Sequence, residues 1–295
     1  MKKIISVVLC GIIATLGIMP MTALAFVFDG RAFPYRSGDY IYAENKNGGI
    51  VVGGYLGDEQ EITLPTEIDG KKVTEYSCSM FLKNRGSSEG NIRYDVSVPK
   101  KIIIPEGFDG DIYFDECDFE EIVASSTVKS FELYWCDKVK SVSFPDEMKS
   151  LERLSLANCN KLENVDLPSN LEKIDSEAFL GCDSLKEIKI PSSVKSIAAD
   201  AFGENDKTVI VCDYATEAMR YAVKNNRSFV LESYVLGDCN LDERVNMKDL
   251  LVMRKAIAGW NIFIYEKAAD FDHNGRLNMK DVLAFRKVTT TVEIS

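Results

Sequence analysis

The feature that most limits what this chain can fold into is a fixed period running through its middle, the step that carries Cys136 to Cys159 and Cys159 to Cys182. Pro145, Pro168 and Pro191 keep the same step. Five apolar rows agree with it: Val139, Leu162, Leu185; Val142, Val165, Ile188; Phe144, Leu167, Ile190; Leu151, Ile174, Ile197; and Leu156, Phe179, Phe202. A constant period of this length means one small structural unit per repeat. A single unit cannot bury its own apolar face, so the units must stack around a shared core and be capped at both ends.

Each unit opens with a short stretch such as LENVDL or LKEIKI, apolar at its first, fourth and sixth residues. In IPSSVKSIAADAF an isoleucine-proline turn, a serine-isoleucine pair and an alanine-phenylalanine pair follow one another. This pattern resembles the leucine-rich repeat, and more closely its bacterial BspA-like subtype. FEEIVASSTVKSFELYWCDK fits as a shortened unit, and KIIIP and EITLP as degenerate ones, so the resemblance runs from about Asp39 to Glu232. It implies an α+β chain, a solenoid of short strands with turns and short helices. YIYAENKNGGIVVGGYLG reads as an N-terminal cap of paired strands, with Gly48-Gly49 and Gly53-Gly54 as turn or bulge signals. TVIVCDYATEAMRYAVKNNRSFVLES reads as the other cap: strand, amphipathic helix around Ala215 to Lys224, strand.

The stretch from Met1 to Ala25 reads as an export signal, with Lys2 and Lys3, an apolar run from Ile4 to Ile18, and Ala23-Leu24-Ala25 as a small-x-small cleavage site. The apolar run falls short of the roughly 20 residues that a membrane span needs. Cys10 follows Leu9 rather than a small residue, which argues against a lipid anchor. No later segment is long enough to span a bilayer. The expected partition is therefore 1–25 signal peptide, 26–233 repeat domain with its caps, and 234–295 a second domain.

Without the signal the chain has 33 basic and 46 acidic residues, since 35 loses Lys2 and Lys3, and the net charge is 33 − 46 = −13. That field repels nucleic acid and anionic membrane, and no basic stripe interleaved with aromatics opposes it. Of the 8 cysteines all but Cys10 remain, an odd number in a compartment that permits disulfides. The row of Cys136, Cys159 and Cys182 suits small apolar side chains stacked at a narrow interior corner. Disulfides between coils and a metal ladder are the alternatives. A cysteine nucleophile wants a histidine beside it, and the chain has only His273. Acid pairs such as Glu120-Glu121 do not define the facing carboxylates of a glycosidase cleft. No enzyme is expected.

The strongest chemical signal is at the C-terminus, where DCNLDERVNMKD starts at Asp238 and DFDHNGRLNMKD at Asp270. Calcium takes six to eight hard oxygens at about 2.4 Å, which alternate residues of a tight loop can supply. In the first loop Asp238, Asn240, Asp242, Asn246 and Asp249 stand at positions 1, 3, 5, 9 and 12, with the Arg244 carbonyl at 7. In the second the set is Asp270, Asp272, Asn274, Asn278 and Asp281, with the Arg276 carbonyl. Two calcium ions are expected. Position 6 favours glycine for its positive φ, and the second loop has Gly275 there but the first has Glu243, so the first loop is expected to be strained.

After each loop comes a single helix, MKDLLVMRKAIAGW or MKDVLAFRKVTTT, while strand-like SYVLG rather than a helix precedes the first. This tandem of loop and exit helix, from about Leu236 to Val288, resembles the type I dockerin, a small all-α module with two EF-hand-like calcium loops. The resemblance implies docking onto a cohesin module of a scaffoldin, in a cellulosome or a related assembly. It places recognition on Met247, Lys248, Arg254 and Lys255 in the first copy and on Met279, Lys280, Arg286 and Lys287 in the second. Those spacings bring each set to one helical face. The plain alternative is that the methionines fill the core and the Arg-Lys pairs solvate the helix.

Together these readings describe a secreted, extracellular, non-catalytic adaptor held at the cell surface through a scaffoldin. The repeats would offer a strand face to a protein, cell-surface or glycan ligand through Lys140, Ser141 and Ser143, then Glu163, Asn164 and Asp166, then Lys186, Glu187 and Lys189. Plain solvation of that face, a structural spacer, and a polysaccharide- or peptide-degrading enzyme are the other readings. The connecting LESYVLGD has no Pro/Thr/Ser run and so holds the second domain close.

Overall fold

The structure, a computed structural model, describes residues 26–28, 31–78, 98–148 and 151–292, and the expected export signal lies outside them. The chain divides into two compact units, Met1–Ile210 and Val211–Ser295.

The first unit is a β-solenoid. One strand of each coil enters a five-stranded parallel sheet made of Glu61–Thr63, Lys101–Ile103, Glu121–Val123, Ser141–Ser143 and Asn164–Asp166. Its register lines up Ile62, Ile102, Ile122, Val142 and Val165 in one inward row. All five are buried, while their strand neighbours point outward, as the two-residue period of a strand requires. The degenerate segments EITLP and KIIIP therefore hold full places in the stack.

A second sheet runs in parallel through Lys71–Cys78, Asp111–Asp115, Ser130–Tyr134 and Arg153–Ser155. Its inward row is Tyr76, Ile112, Phe131 and Leu154, again buried. The prolines close the same turn in each coil: the carbonyls of Pro145, Pro168 and Pro191 accept from the N–H groups of Met148, Leu171 and Val194 at 3.0–3.1 Å.

Each cysteine of the row follows a left-handed residue: Trp135, Asn158 and Gly181 have φ of 51°, 59° and 68°. The sharp corner leaves room for a small side chain, and Cys136, Cys159 and Cys182 fill it as buried thiols. The coil before this row repeats the device with Glu116 at φ 53° and Cys117. Burial pushes the Cys182 thiol up to about 12.

One expected row is buried only in part. Leu151 and Ile197 are half-buried and Ile174 is buried, with Ile174 paired to Ile197 across two short strands. Leu154, paired with Phe131 at the same step, is the inward residue of the strand that follows Leu151.

The N-terminal cap pairs Tyr40–Glu44 with Ile50–Tyr55 antiparallel, and the register skips at Gly53. A Cβ at Gly53 would lie 2.4 Å from the Phe33 ring, so this position must be glycine for the strand to lie against Phe33.

The second unit contains helices α1 (Glu217–Lys224), α2 (Met247–Ile257), α3 (Glu266–Ala269) and α4 (Met279–Val292). Helix α1 starts later than Ala215 because Ala215 is left-handed, φ 59°, and Thr216 caps the helix by accepting from Met219 N. It buries Ala218, Met219, Tyr221 and Ala222. The strand Phe229–Leu231 follows, and the chain from Ser233 to Gly237 is turn and irregular structure, where a strand was expected. Leu250 and Met253 of α2 pack with Val282 and Phe285 of α4, and Cys239 and Ala269 complete the cluster.

Candidate metal centre

The two acidic loops fold alike because each is closed by its own side chains. In the second, Asp270 accepts from Asn274 N at 3.2 Å and from Gly275 N at 2.7 Å. In the first, Asp238 accepts from Asp242 N at 3.2 Å and from Glu243 N at 2.9 Å. The twelfth residue closes each ring. Asp281 takes Phe271 N and Asn278 N at 3.0 and 2.9 Å, and Asp249 takes Cys239 N and Asn246 N at 2.9 and 2.8 Å. Asp238, Asp249 and Asp281 are fully buried, a costly place for a carboxylate unless charge or hydrogen bonds offset it. Burial pushes the Asp249 carboxyl above its ordinary value.

The backbones match residue for residue. Positions 4 and 6 are left-handed in both loops: Leu241 and Glu243 at 56° and 66°, His273 and Gly275 at 54° and 75°. Asn246 and Asn278 each cap the following helix by accepting from Lys248 N and Lys280 N, both at 2.9 Å. Their amides donate to the carbonyls of Arg244 and Arg276, at 3.4 and 3.1 Å, which draws those carbonyls into the loop.

The loops differ in how tightly the acids converge. Carboxylate oxygens of Asp270, Asp272 and Asp281 lie within 4.8 Å of one another, a spacing that one cation can bridge. Asn274 stands beside them, its Oδ1 accepting from Arg276 N at 2.9 Å. Among the described residues no second trio gathers so closely. In the first loop Asp242 instead lies 3.5 Å from Lys248 Nζ, and Asn240 Oδ1 accepts from Asp242 N at 2.9 Å.

The residues expected to meet a partner lie on the exposed faces of α2 and α4. Met247 and Met279 are 67% and 53% exposed, which puts both outside the core. Lys248, Arg254, Lys280, Arg286 and Lys287 are exposed as well, whereas Lys255 is half-buried, its Nζ 5.3 Å from the centre of the Trp260 ring. Sequence reasoning missed Leu251 and Leu283, 52% and 54% exposed at equivalent positions. Each stands one turn after its methionine, so the signal was present as a leucine on the polar face of both copies.

On the solenoid, Glu163, Asn164, Asp166, Lys186, Glu187 and Lys189 line a shallow cavity of about 690 Å³. Ser141 and Ser143 stand in register with Asn164 and Asp166 on the same sheet. On the other sheet Tyr113, Tyr134 and Trp135 form an outward aromatic cluster with centroids 5.5 and 6.2 Å apart, a feature the repeat pattern did not reveal.

The family model for a BspA type leucine rich repeat region matches residues 110–229 in 6 copies. The one for a type I dockerin domain matches residues 236–287. The chain carries a BspA-type leucine-rich repeat region followed by a C-terminal type I dockerin domain. Among solved structures, the leucine-rich repeat protein TpLRR of T. pallidum is 21% identical, TM-score 0.36, covering 59% of this chain and 68% of its own. A leucine-rich cell surface protein of Faecalibacterium prausnitzii is 12% identical, TM-score 0.27, with coverages of 68% and 95%. A leucine-rich repeat protein of Bacteroides ovatus is 16% identical, TM-score 0.36, with coverages of 69% and 59%. A comparison with curated proteins finds no match. Type I dockerins are calcium-binding modules, and a dockerin implies a cohesin partner. Both modules are non-catalytic. No helix among the described residues is long and apolar enough to cross a membrane.

Proposed function

We propose that this protein is a secreted, non-catalytic component of a cellulosome-type assembly whose dockerin takes up two calcium ions and docks on a cohesin of a scaffoldin. The observation that carries the reading is the duplication of one loop geometry, with the acids, left-handed residues and capping asparagine of the Asp238 loop repeated in the Asp270 loop. The donor set suits calcium: hard carboxylate and amide oxygens, with a backbone carbonyl drawn inward in each loop. Asp238, Asn240, Asp242, Asn246, Asp249 and the Arg244 carbonyl would hold the first ion. Asp270, Asp272, Asn274, Asn278, Asp281 and the Arg276 carbonyl would hold the second. Bound calcium neutralises buried acids and so fixes the start of α2 and α4.

In this reading the signal peptide is 1–25, the repeat domain 26–233 and the dockerin 234–295. The cohesin face is Met247, Lys248, Arg254 and Lys255 or the equivalent Met279, Lys280, Arg286 and Lys287, with exposed Leu251 and Leu283 adding apolar area at the centre of each. Equivalence of the two faces allows docking in either of two orientations. The repeats present the strand face around Glu163, Asp166, Glu187 and Lys189 to a protein, cell-surface or glycan ligand. A glycan would also find the outward ring cluster of Tyr113, Tyr134 and Trp135 suited to stacking.

Capture of the full chain on immobilised type I cohesins, with calcium and with EGTA, tests this. Capture in calcium that chelation abolishes is expected. Capture unaffected by EGTA, or absent from every cohesin offered, sinks the reading.

A further inference from the structure

The first loop is held from outside in a way the second is not. The hydroxyl of Tyr214 donates to Oδ2 of Asp238, the first-position acid. Arg220, on α1, donates from Nε and Nη2 to Oε1 of Glu243 at 2.9 and 2.6 Å. The same Nη2 donates to the Ala215 carbonyl at 3.0 Å. Arg220 therefore staples two left-handed residues, Ala215 and Glu243, at once. No contact of this kind reaches Asp270 or Gly275 among the described residues.

Glu243 is the informative residue. It stands where the other loop uses glycine, and a side chain there strains the backbone. The strain has a use if the side chain is needed, and the structure shows it gripped by a guanidinium. Ring packing ties the same segments together: Phe229 stacks on Tyr265 at 5.9 Å, and Tyr265 N donates to the Cys239 carbonyl inside the first loop at 2.8 Å.

We infer that Tyr214 and Arg220 are outer positioning residues of the first calcium loop, coupling its ion affinity to the folding of the α1 cap. The inference rests on the calcium reading above. Groups that orient ligand carboxylates commonly set metal affinity within a range of roughly 10–100-fold. Such coupling is reciprocal, so the ion must also steady the cap. The first site is then a property of residues 211–295 rather than of the matched dockerin alone.

The test uses the full chain, titrated with calcium by calorimetry as wild type, Tyr214→Phe, Arg220→Gln, Arg220→Lys and Arg220→Gln combined with Glu243→Gly. Tyr214→Phe and Arg220→Gln are expected to weaken one of two binding steps roughly tenfold and leave the other unchanged. Arg220→Lys should recover part of the loss, and Arg220→Gln should have no further effect once Glu243 is glycine. Calcium should slow amide exchange across residues 217–224 in the wild type, and less so in Tyr214→Phe and Arg220→Gln at the same calcium concentration. Two unchanged steps in both variants, equal weakening of both steps, or calcium-independent exchange in α1 would overturn the inference while leaving the calcium reading intact. A wild type that takes up no calcium would remove both.

Discussion

The repeat unit and the pair of acidic loops both arise from sequence repetition, yet they are held together by opposite chemistry. In the solenoid each coil completes its neighbour: Ile62, Ile102, Ile122, Val142 and Val165 form one apolar row that needs nothing from solution. In the loops the repeated residues are acids, and three of them, Asp238, Asp249 and Asp281, are fully buried. Their hydrogen bonds come from backbone N–H groups and, at Asp238, also from the Tyr214 hydroxyl, neutral donors that leave net negative charge inside each ring. Repetition of apolar rows thus yields intrinsic stability, whereas in the proposed reading repetition of acid rings yields stability conditional on a cation.

The sharpest way to break that contrast is chelation. At ~1 mM calcium and a dissociation constant of ~10 μM, each site adds roughly 2.7 kcal/mol by mass action, so losing both should melt α2 and α4. Circular dichroism should lose helix while the solenoid's strand signal persists. Loss of both signals together would deny the contrast.

Next in size, Phe131→Ala removes a fully buried ring packed edge-on to Phe144 at 4.9 Å. Large-to-small changes of this kind cost about 3–5 kcal/mol, here read in the urea midpoint of the repeats with calcium uptake unchanged. Asp281→Ala should delete one ion and about half the calcium-dependent stabilisation, roughly 2.7 kcal/mol, without moving the solenoid's midpoint.

Much of this was legible beforehand. The repeat places Val142, Val165 and Ile188 correctly because stacked coils repeat their backbone, and loop spacing places Asp270, Asp272 and Asp281 together because a tight loop turns alternate residues inward. What escaped has no periodic signature. The partial exposure of Leu151 and Ile197 does not show in their spacing, and α3 is a single short turn before the second loop. Tyr214 and Arg220 meet Asp238 and Glu243 through chain packing, which only the fold reveals. The exposed leucines at 251 and 283 sit in apolar runs with Leu250 and Val282, so spacing alone does not separate them from the core.

The smallest expected effect concerns the thiols. An unfolded cysteine ionises near ~8.5, while burial holds Cys182 up at about 12, so the native state keeps a proton that the unfolded state releases. Stability of the repeats should therefore fall as pH rises between these values, and Cys182→Ala should make that fall shallower. Iodoacetamide at pH 8 should leave Cys136, Cys159 and Cys182 unmodified until the chain is denatured.

The central claim, that cations complete the C-terminal unit, is tested most directly by counting them. Native mass spectrometry of the full chain from calcium-containing buffer should show two bound ions, and one for Asp281→Ala. A chain that retains no ion, or that binds two with the acids of both loops replaced by alanine, would contradict the account.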